Sequence, residues 1–360
     1  MDFYCRYRKR WQVHCYDKER ITDKAITESG IRAVPAHTVI MSFKLSIGKT
    51  AITSEEMYTN EAIMAFVSKG TYDIDTDYLY HLCCGTEWTE GTNKAVMGLT
   101  LNKATLSEKR ISLPEITEQR NIAAKFDALD NVIEKTQSEL SSLDQLVKSR
   151  FVEMFGDLLT KAKYPKRQIS DLGIVGTGNT PSMRVSEYYE SEDIPFIKPG
   201  DIAESGVTIV SNADTAYISE SARKAARIMP YNTVMVTCIG TIGKVGIVQR
   251  ESACNQQINY IIPNALINSM YLAQCLSFYK PVLEEMANAP VVPIINKTQF
   301  STVALPVPPL ELQNHFAAFV AEVDKSKFHI QKSLSTSRKL WTMAQIDAII
   351  NMDFSTQRSL

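Results

Sequence analysis

Two stretches of the chain carry apolar residues at alternating steps of four and three. The first stripe runs Ile122, Phe126, Leu129, Ile133, Thr136, Leu140, Leu143 and Val147, a spacing that lines up one seam of a helix as a coiled coil requires. Adding 194 to each position gives Phe316, Val320, Val323, Lys327, Ile330, Leu334, Ser337 and Trp341, so a second helix keeps the same heptad phase. A helix from about Thr117 to Phe155 is roughly 60 Å long at ~1.5 Å per residue, too long to bury its stripe against one small domain. It needs a second helix, and an intramolecular antiparallel pair is expected, with Thr136, Lys327 and Ser337 as weak points that fix register. Taken alone, each stripe also fits ordinary helix core; the shared phase favours the pair.

Ahead of each helical stretch the pattern changes to short β-rich runs, such as Thr38 to Phe43 and Thr233 to Thr237, broken by Gly, Pro, Asn and Ser. These runs repeat. Val39-Ile40-Met41-Ser42 with Ile47-Gly48-Lys49 matches Val234-Met235-Val236-Thr237 with Ile242-Gly243-Lys244 at an offset of 195, and Pro35, Asn60 and Ile63 fall on Pro230, Asn255 and Ile258. Leu101-Asn102-Lys103 returns as Ile295-Asn296-Lys297 at 194, followed by Pro114 on Pro308, Gln119 on Gln313 and Asp130 on Asp324. A period this long marks a duplicated domain rather than a solenoid. The expected fold class is α+β: two β-rich mixed domains, the first incomplete, separated by two long helices pairing as an antiparallel coiled coil. The expected limits are 1–112 for the partial first domain, 113–160 for the first long helix, 161–305 for the second domain, 306–350 for the second helix and 351–360 for a tail.

Composition narrows the function. With 39 Lys plus Arg against 40 Asp plus Glu there is no global field of the kind a general nucleic-acid or membrane binder carries. Seven irregularly spaced cysteines without a CxxC pair disfavour disulfides and zinc. No apolar run reaches the ~20 residues of a membrane span, and the basic, aromatic start lacks a signal peptide's apolar core, so a cytoplasmic protein with no membrane partner is expected.

The residue patterns of several enzyme classes do not occur in the sequence. Gly48-Lys49-Thr50 and Gly243-Lys244 have Phe43 and Cys238 where a phosphate-cradling loop needs glycine. The five histidines show no helical zinc-hydrolase pairing, no acidic residue stands two before a lysine as in a common magnesium nuclease core, and no nucleophile elbow or Gly-rich cofactor loop occurs. No catalytic residue, metal or cofactor is therefore assigned. What the β-rich parts do contain is small polar and basic residues in turns, the types that contact phosphates and base edges. One cluster holds Thr177, Asn179, Thr180 and Ser182, followed by Lys198; another runs from Thr237 through Thr241 to Lys244 and on to Gln256 and Gln257, where an amide could read adenine. Lys297 and, in the first copy, Lys44, Ser46, Lys49, Asn60 and Lys103 complete the candidates. Lys49, Lys103, Lys244 and Lys297 recur between the copies. The same Gly, Thr and Asn residues also serve simply as turn formers.

These residues resemble a known family, the DNA-specificity subunits of type I restriction-modification systems. Gly176-Thr177-Gly178-Asn179-Thr180-Pro181-Ser182 followed by Ile194 to Ile202 is similar to the opening of that family's target-recognition domain. Gly240-Thr241-Ile242-Gly243-Lys244 with Asn255-Gln256-Gln257-Ile258 is similar to its later half, and Pro308 to Gln313, like Leu113 to Gln119, resembles the start of its spacer helix. The resemblance covers most of residues 25 to 345. It implies a non-catalytic subunit in which each of two recognition domains reads half of a bipartite double-stranded DNA target, while methyltransferase subunits and, through them, a restriction subunit supply the chemistry. In one respect the chain departs from the pattern: residues 165 to 220 have no counterpart before residue 25, so the first domain is expected to lack its front. A silent or recombination-donor cassette, and a coiled-coil assembly protein without a DNA role, remain alternatives.

Overall fold

The two heptad stripes form the longest elements of the protein, helices Ile116–Phe155 and Leu310–Ile350, of 40 and 41 residues. Both follow Pro-containing segments, where the fixed φ of proline and its missing N–H suit the approach to a first turn. The computed structural model describes residues 21–44, 47–86, 88, 93–95, 98–100, 110–210, 215–287, 292–350 and 357–359. Two units divide the chain: Met1–Glu139 with His329–Leu360, and Leu140–Phe328. Each holds part of both long helices.

In the second unit a five-stranded mixed sheet has the order Gly173–Thr177, Ile258–Pro263, Val234–Ile239, Thr241–Val248, Val207–Val210. A four-stranded sheet has the order Ala216–Ile218, Ile194–Ile197, Ser252–Cys254, Ile228–Met229. The central strands are apolar along nearly their whole length, and Val234–Ile239 is buried at five of its six positions, because residues pack on both faces. The long helices enter this core. Phe151 and Phe155 of one and Phe316 of the other surround Tyr271, with Phe151 and Phe316 centroids 5.4 Å apart and Phe155 and Tyr271 4.9 Å apart. The Tyr271 hydroxyl donates to the Pro306 carbonyl at 2.9 Å, which satisfies the one polar group of the cluster.

Helix pairing is antiparallel in this unit: Phe151 meets Phe316, while seven residues earlier Asp144 meets Lys327, eleven residues later on its own helix, at 2.6 Å. Val147, Phe316, Val320 and Val323 are buried in the seam, and Leu140, Leu143 and Lys327 half-buried. Lys327 thus interrupts the apolar stripe with a charge, answered by Asp144 across the seam and Asp324 on its own helix. Burial holds the Asp324 carboxyl above its usual range, with Asp144 adding to the rise and Lys327 opposing it.

The first unit carries the three-stranded antiparallel sheet Thr50–Ile52, Val39–Ser42, Ile63–Phe66. Its core joins Met41, Tyr78 and Trp88 to Ile122 and Phe126 of the first long helix, with Trp341 of the second packed against it, 6.0 Å from the Phe126 ring. Ile133, Thr136 and Leu334 are buried here, and Leu129, Ile330 and Ser337 half-buried. Thr136 returns its hydroxyl to the Val132 carbonyl at 2.7 Å, so this polar seam residue satisfies itself within its helix.

The duplication extends to strand register. Val39 pairs with Ile52 and Phe66, and Val234 pairs with Ile247 and Ile261, every partner shifted by 195. The turns repeat as well: His37 and Asn232 have φ of 57° and 65°, and Gly48 and Gly243 have φ of 83° and 78°. Most telling is a buried glutamine. Gln119 Oε1 accepts from the Asp75 N–H and its Nε2 donates to the Asp73 and Pro114 carbonyls; Gln313 does the same with Asn268, Leu266 and Pro308. One side chain thereby ties the approach to each long helix to the N-cap of the short helix beneath it.

Residues 351–360, expected to be a tail, include a strand. Gln357–Ser359 pairs antiparallel with Arg110–Ser112, as Lys166–Gln168 pairs with Ala304–Pro306 in the second unit. In each unit a strand that follows one long helix is joined to the strand that precedes the other. The expectation of a missing front to the first domain concerns residues 1–24, of which 1–20 lie outside the described residues.

Candidate nucleic-acid interface

The polar loop Thr177–Ser182 leaves the edge strand Gly173–Thr177 of the larger sheet and crosses the turn Asn255–Gln257. Glycine makes the crossing possible. A Cβ on Gly178 would collide with the Cys254 and Asn255 carbonyls, and one on Gly176 with the Tyr260 ring. The backbone N–H groups of Gly178 and Asn179 then bond to Ile258 and Cys254 carbonyls at 2.9 Å each, fixing loop against turn.

For several candidates the geometry differs from the expectation of groups facing DNA. Thr177 donates to Asn259 Oδ1 at 2.6 Å, and Asn259 passes a bond on to the Ile295 carbonyl. Asn179 uses both ends of its amide, on the Ala225 carbonyl and the Arg227 N–H. Thr237 is fully buried and accepts from the Lys244 N–H. Lys244 itself is turned inward, 2.6 Å from Glu204 Oε1 and 3.3 Å from the Pro199 carbonyl. The physical reason is common to all four: a polar group withdrawn from water must find a partner, and the nearest partners here belong to the protein. The Lys244 hydrogen bond and charge hold the Glu204 carboxyl below its usual range.

Other candidates face outward. Thr180, Ser182, Lys198, Thr241, Gln256 and Lys297 are exposed and Gln257 half-buried. Thr180 bonds to Gln256 Oε1 at 2.9 Å, which brings the two sequence clusters together. Pro181 is buried, and the Tyr189 hydroxyl braces its carbonyl at 2.7 Å, so the loop is held rather than loose. In the first unit Lys49 and Asn60 are exposed and Lys44 half-buried, its Nζ 5.7 Å from the Phe43 ring centre; Ser46 and Lys103 lie outside the described residues.

Arg227 escaped the sequence reading. Its guanidinium donates to the Thr177 carbonyl at 2.7 Å and its backbone N–H to Asn179, with the side chain exposed at the loop. The only trace in the sequence is the basic run Arg223-Lys224 to Arg227, some fifty residues from the loop it joins. Arg184 is exposed at the far end of the same loop.

The described cysteines, Cys83, Cys84, Cys238, Cys254 and Cys275, are free thiols. Burial pushes Cys238 up to about 11 and Cys275 up to about 12, which keeps both protonated and poor as nucleophiles at neutral pH. Among the described residues no cluster of His, Cys, Asp or Glu is placed to hold a metal, and no helix is long and apolar enough to cross a membrane.

A family model described as "Type I restriction modification DNA specificity domain" matches residues 14–144 and 162–337. The chain is similar to the MjaIX specificity subunit of Methanocaldococcus jannaschii, 23% identical over 354 residues, covering 90% of this chain and 79% of that one. It is 27% identical over 235 residues to the HindI specificity subunit of Haemophilus influenzae, covering 59% of this chain but only half, 50%, of that relative's length. In structure it is similar to the S subunit of a type I restriction-modification system from M. genitalium, with TM-score 0.56 at 13% identity, covering 90% of this chain and 85% of that one. A chain from a study of assembly and conformational transition of the type I R-M system matches with TM-score 0.57 at 17% identity, covering 88% and 82%. At these identities the structural likeness speaks for the fold.

Proposed function

Because the chain belongs to the type I restriction-modification DNA specificity family, which matches both of its halves, we propose that it reads double-stranded DNA for a restriction-modification complex. It directs methyltransferase subunits and, through them, a restriction subunit to a bipartite target, and performs no bond chemistry itself. DNA as its ligand puts its work in the cytoplasm.

The observation that carries this reading is the duplicated sheet, whose strand pairs repeat at one offset of 195 in the two units. Two copies of one module suit two half-sites. Residues 1–112 and 161–305 are the proposed reading parts. In the second, Thr180, Ser182, Gln256 and Gln257 are the proposed base-edge readers, and Lys198, Thr241, Lys297, Arg184 and Arg227 hold phosphates. Lys44, Lys49 and Asn60 take the corresponding part in the first. Thr177, Asn179, Thr237 and Lys244 support the loops from inside.

Mapping DNA methylation in the host with and without this gene tests the proposal. Loss of methylation at one bipartite motif is expected, together with recovery of a methyltransferase subunit when the chain is pulled down. An unchanged methylation map and a pull-down without methyltransferase would overturn it.

A further inference from the structure

Strands Ile194–Ile197 and Ser252–Cys254 run parallel, with Ile197 opposite Cys254, and both end at the candidate interface. The Asn255 N–H donates to the Ile197 carbonyl at 3.1 Å, so Lys198, the next residue, starts beside the turn that carries Gln256. The Lys198 side chain is exposed, yet its main chain is held from both sides by one residue. Its N–H donates to Asp201 Oδ2 at 2.7 Å, and its carbonyl accepts from the Asp201 N–H at 3.0 Å, which closes the tight turn Pro199–Asp201. The same carboxylate oxygen accepts from the Thr215 hydroxyl at 3.1 Å, and that hydroxyl also reaches the Phe196 carbonyl at 3.2 Å. Ile197 and Ile202, on either side of the turn, are buried. The core therefore fixes the two ends of this segment, and Asp201 sets the path of the chain between them.

We propose that Asp201 is a positioning residue that fixes the root of Lys198 for contact with a DNA phosphate. This inference rests on the DNA-reading proposal above and deepens it. By charge alone, a carboxylate three residues from a phosphate-binding lysine works against binding, because it repels the phosphates that the lysine attracts. What Asp201 contributes is geometric. A lysine side chain loses rotamer freedom when it settles on a phosphate, and a main chain free to move would add its own ordering cost. With the N–H and carbonyl of Lys198 both bonded to Asp201, that second cost is met before DNA arrives. Charge and geometry thus predict opposite results for the loss of this carboxylate.

The test uses the purified full chain and the duplex that the parent enriches from a randomised pool, with affinity measured over a range of salt. Lys198→Ala should weaken binding about fivefold at about 0.15 M salt and lower the salt slope by about one unit, as the loss of one phosphate contact does. Asp201→Asn removes the charge but keeps an oxygen for the Lys198 N–H, so it should bind at least as tightly as the parent with a slope no lower. Asp201→Glu keeps the charge but displaces the carboxylate by one methylene, and Asp201→Ala removes it. Both should fall toward Lys198→Ala in affinity and slope, and neither should weaken further a chain that already carries Lys198→Ala. Preference for the other half of the motif reports that each variant is folded. The inference is overturned, while the DNA-reading proposal stands, if Asp201→Glu binds like the parent, if Asp201→Ala binds more tightly, or if the losses add to that of Lys198→Ala. An unchanged slope in Lys198→Ala overturns it as well. A parent that enriches no motif overturns both.

Discussion

Replacing Gln119 by alanine removes one side chain that serves three backbone groups. It is fully buried, accepts from the Asp75 N–H at 2.9 Å and donates to the Asp73 and Pro114 carbonyls at 3.0 and 2.8 Å. Alanine leaves one donor and two acceptors without partners and a void where the amide was. Each unmet buried group costs about 1–3 kcal/mol, partly recovered where water enters the space. A total of about 3–5 kcal/mol is expected, a large share of the ~5–15 kcal/mol that holds a domain folded. With a urea slope of roughly 1–3 kcal/mol per M, the unfolding midpoint should fall by at least about 1 M. The measurement has a built-in reporter: of the chain's three tryptophans, the two among the described residues, Trp88 and Trp341, pack in or against the first unit's core. Tryptophan fluorescence should therefore register Gln119→Ala strongly. Gln313→Ala, which breaks the same bonds in the second unit, should shift the far-ultraviolet circular dichroism transition and move the fluorescence midpoint less. A Gln119→Ala protein whose fluorescence midpoint equals the parent's would refute the claim that this side chain holds the unit's helix entry in place.

Gly178→Ala should abolish recognition of one half-motif, because its Cβ would strike the Cys254 and Asn255 carbonyls and force loop and turn apart; sequencing the duplexes that the purified chain binds from a randomised pool reads this, and an intact motif would count against the loop as part of the reader. Lys297→Ala should lower the salt slope of DNA binding by about one unit, as the loss of one phosphate contact does, whereas Lys244→Met should leave the slope unchanged and lower the melting temperature, since Lys244 is already paired with Glu204. A reversed outcome would make Lys244 the phosphate contact. Lys327→Met leaves Asp144 and Asp324 without their shared cation. Asp324 already sits above its unfolded value, so the folded state prefers it protonated and loses stability as pH rises through its raised range. The variant should accordingly lose more stability at pH 7 than at pH 4, and equal losses at both would refute the seam electrostatics.

The seam of the long helices and the duplication were legible in the sequence. Both are periodic properties: a heptad shows itself in the spacing of Ile122 to Val147, and a repeat in one constant offset, without knowledge of what touches what. The doubled positions carried structural meaning that composition could not name. Gln119 and Gln313 matched in sequence, yet only the fold shows each bonding to the backbone of a helix more than forty residues away. The candidate site was legible in part. Residue types marked the loop at Thr177–Ser182 and the turn at Gln256–Gln257, but not their contact through Gly178 and Thr180, nor Arg227 beside them. Hydrogen-bond partners over such separations are chosen by tertiary packing, which decides what is desolvated and therefore what must be satisfied inside. That choice turned Thr177, Asn179, Thr237 and Lys244 inward, joined Gln357–Ser359 to Arg110–Ser112, and tied Gln256 to Thr180 across loop and turn.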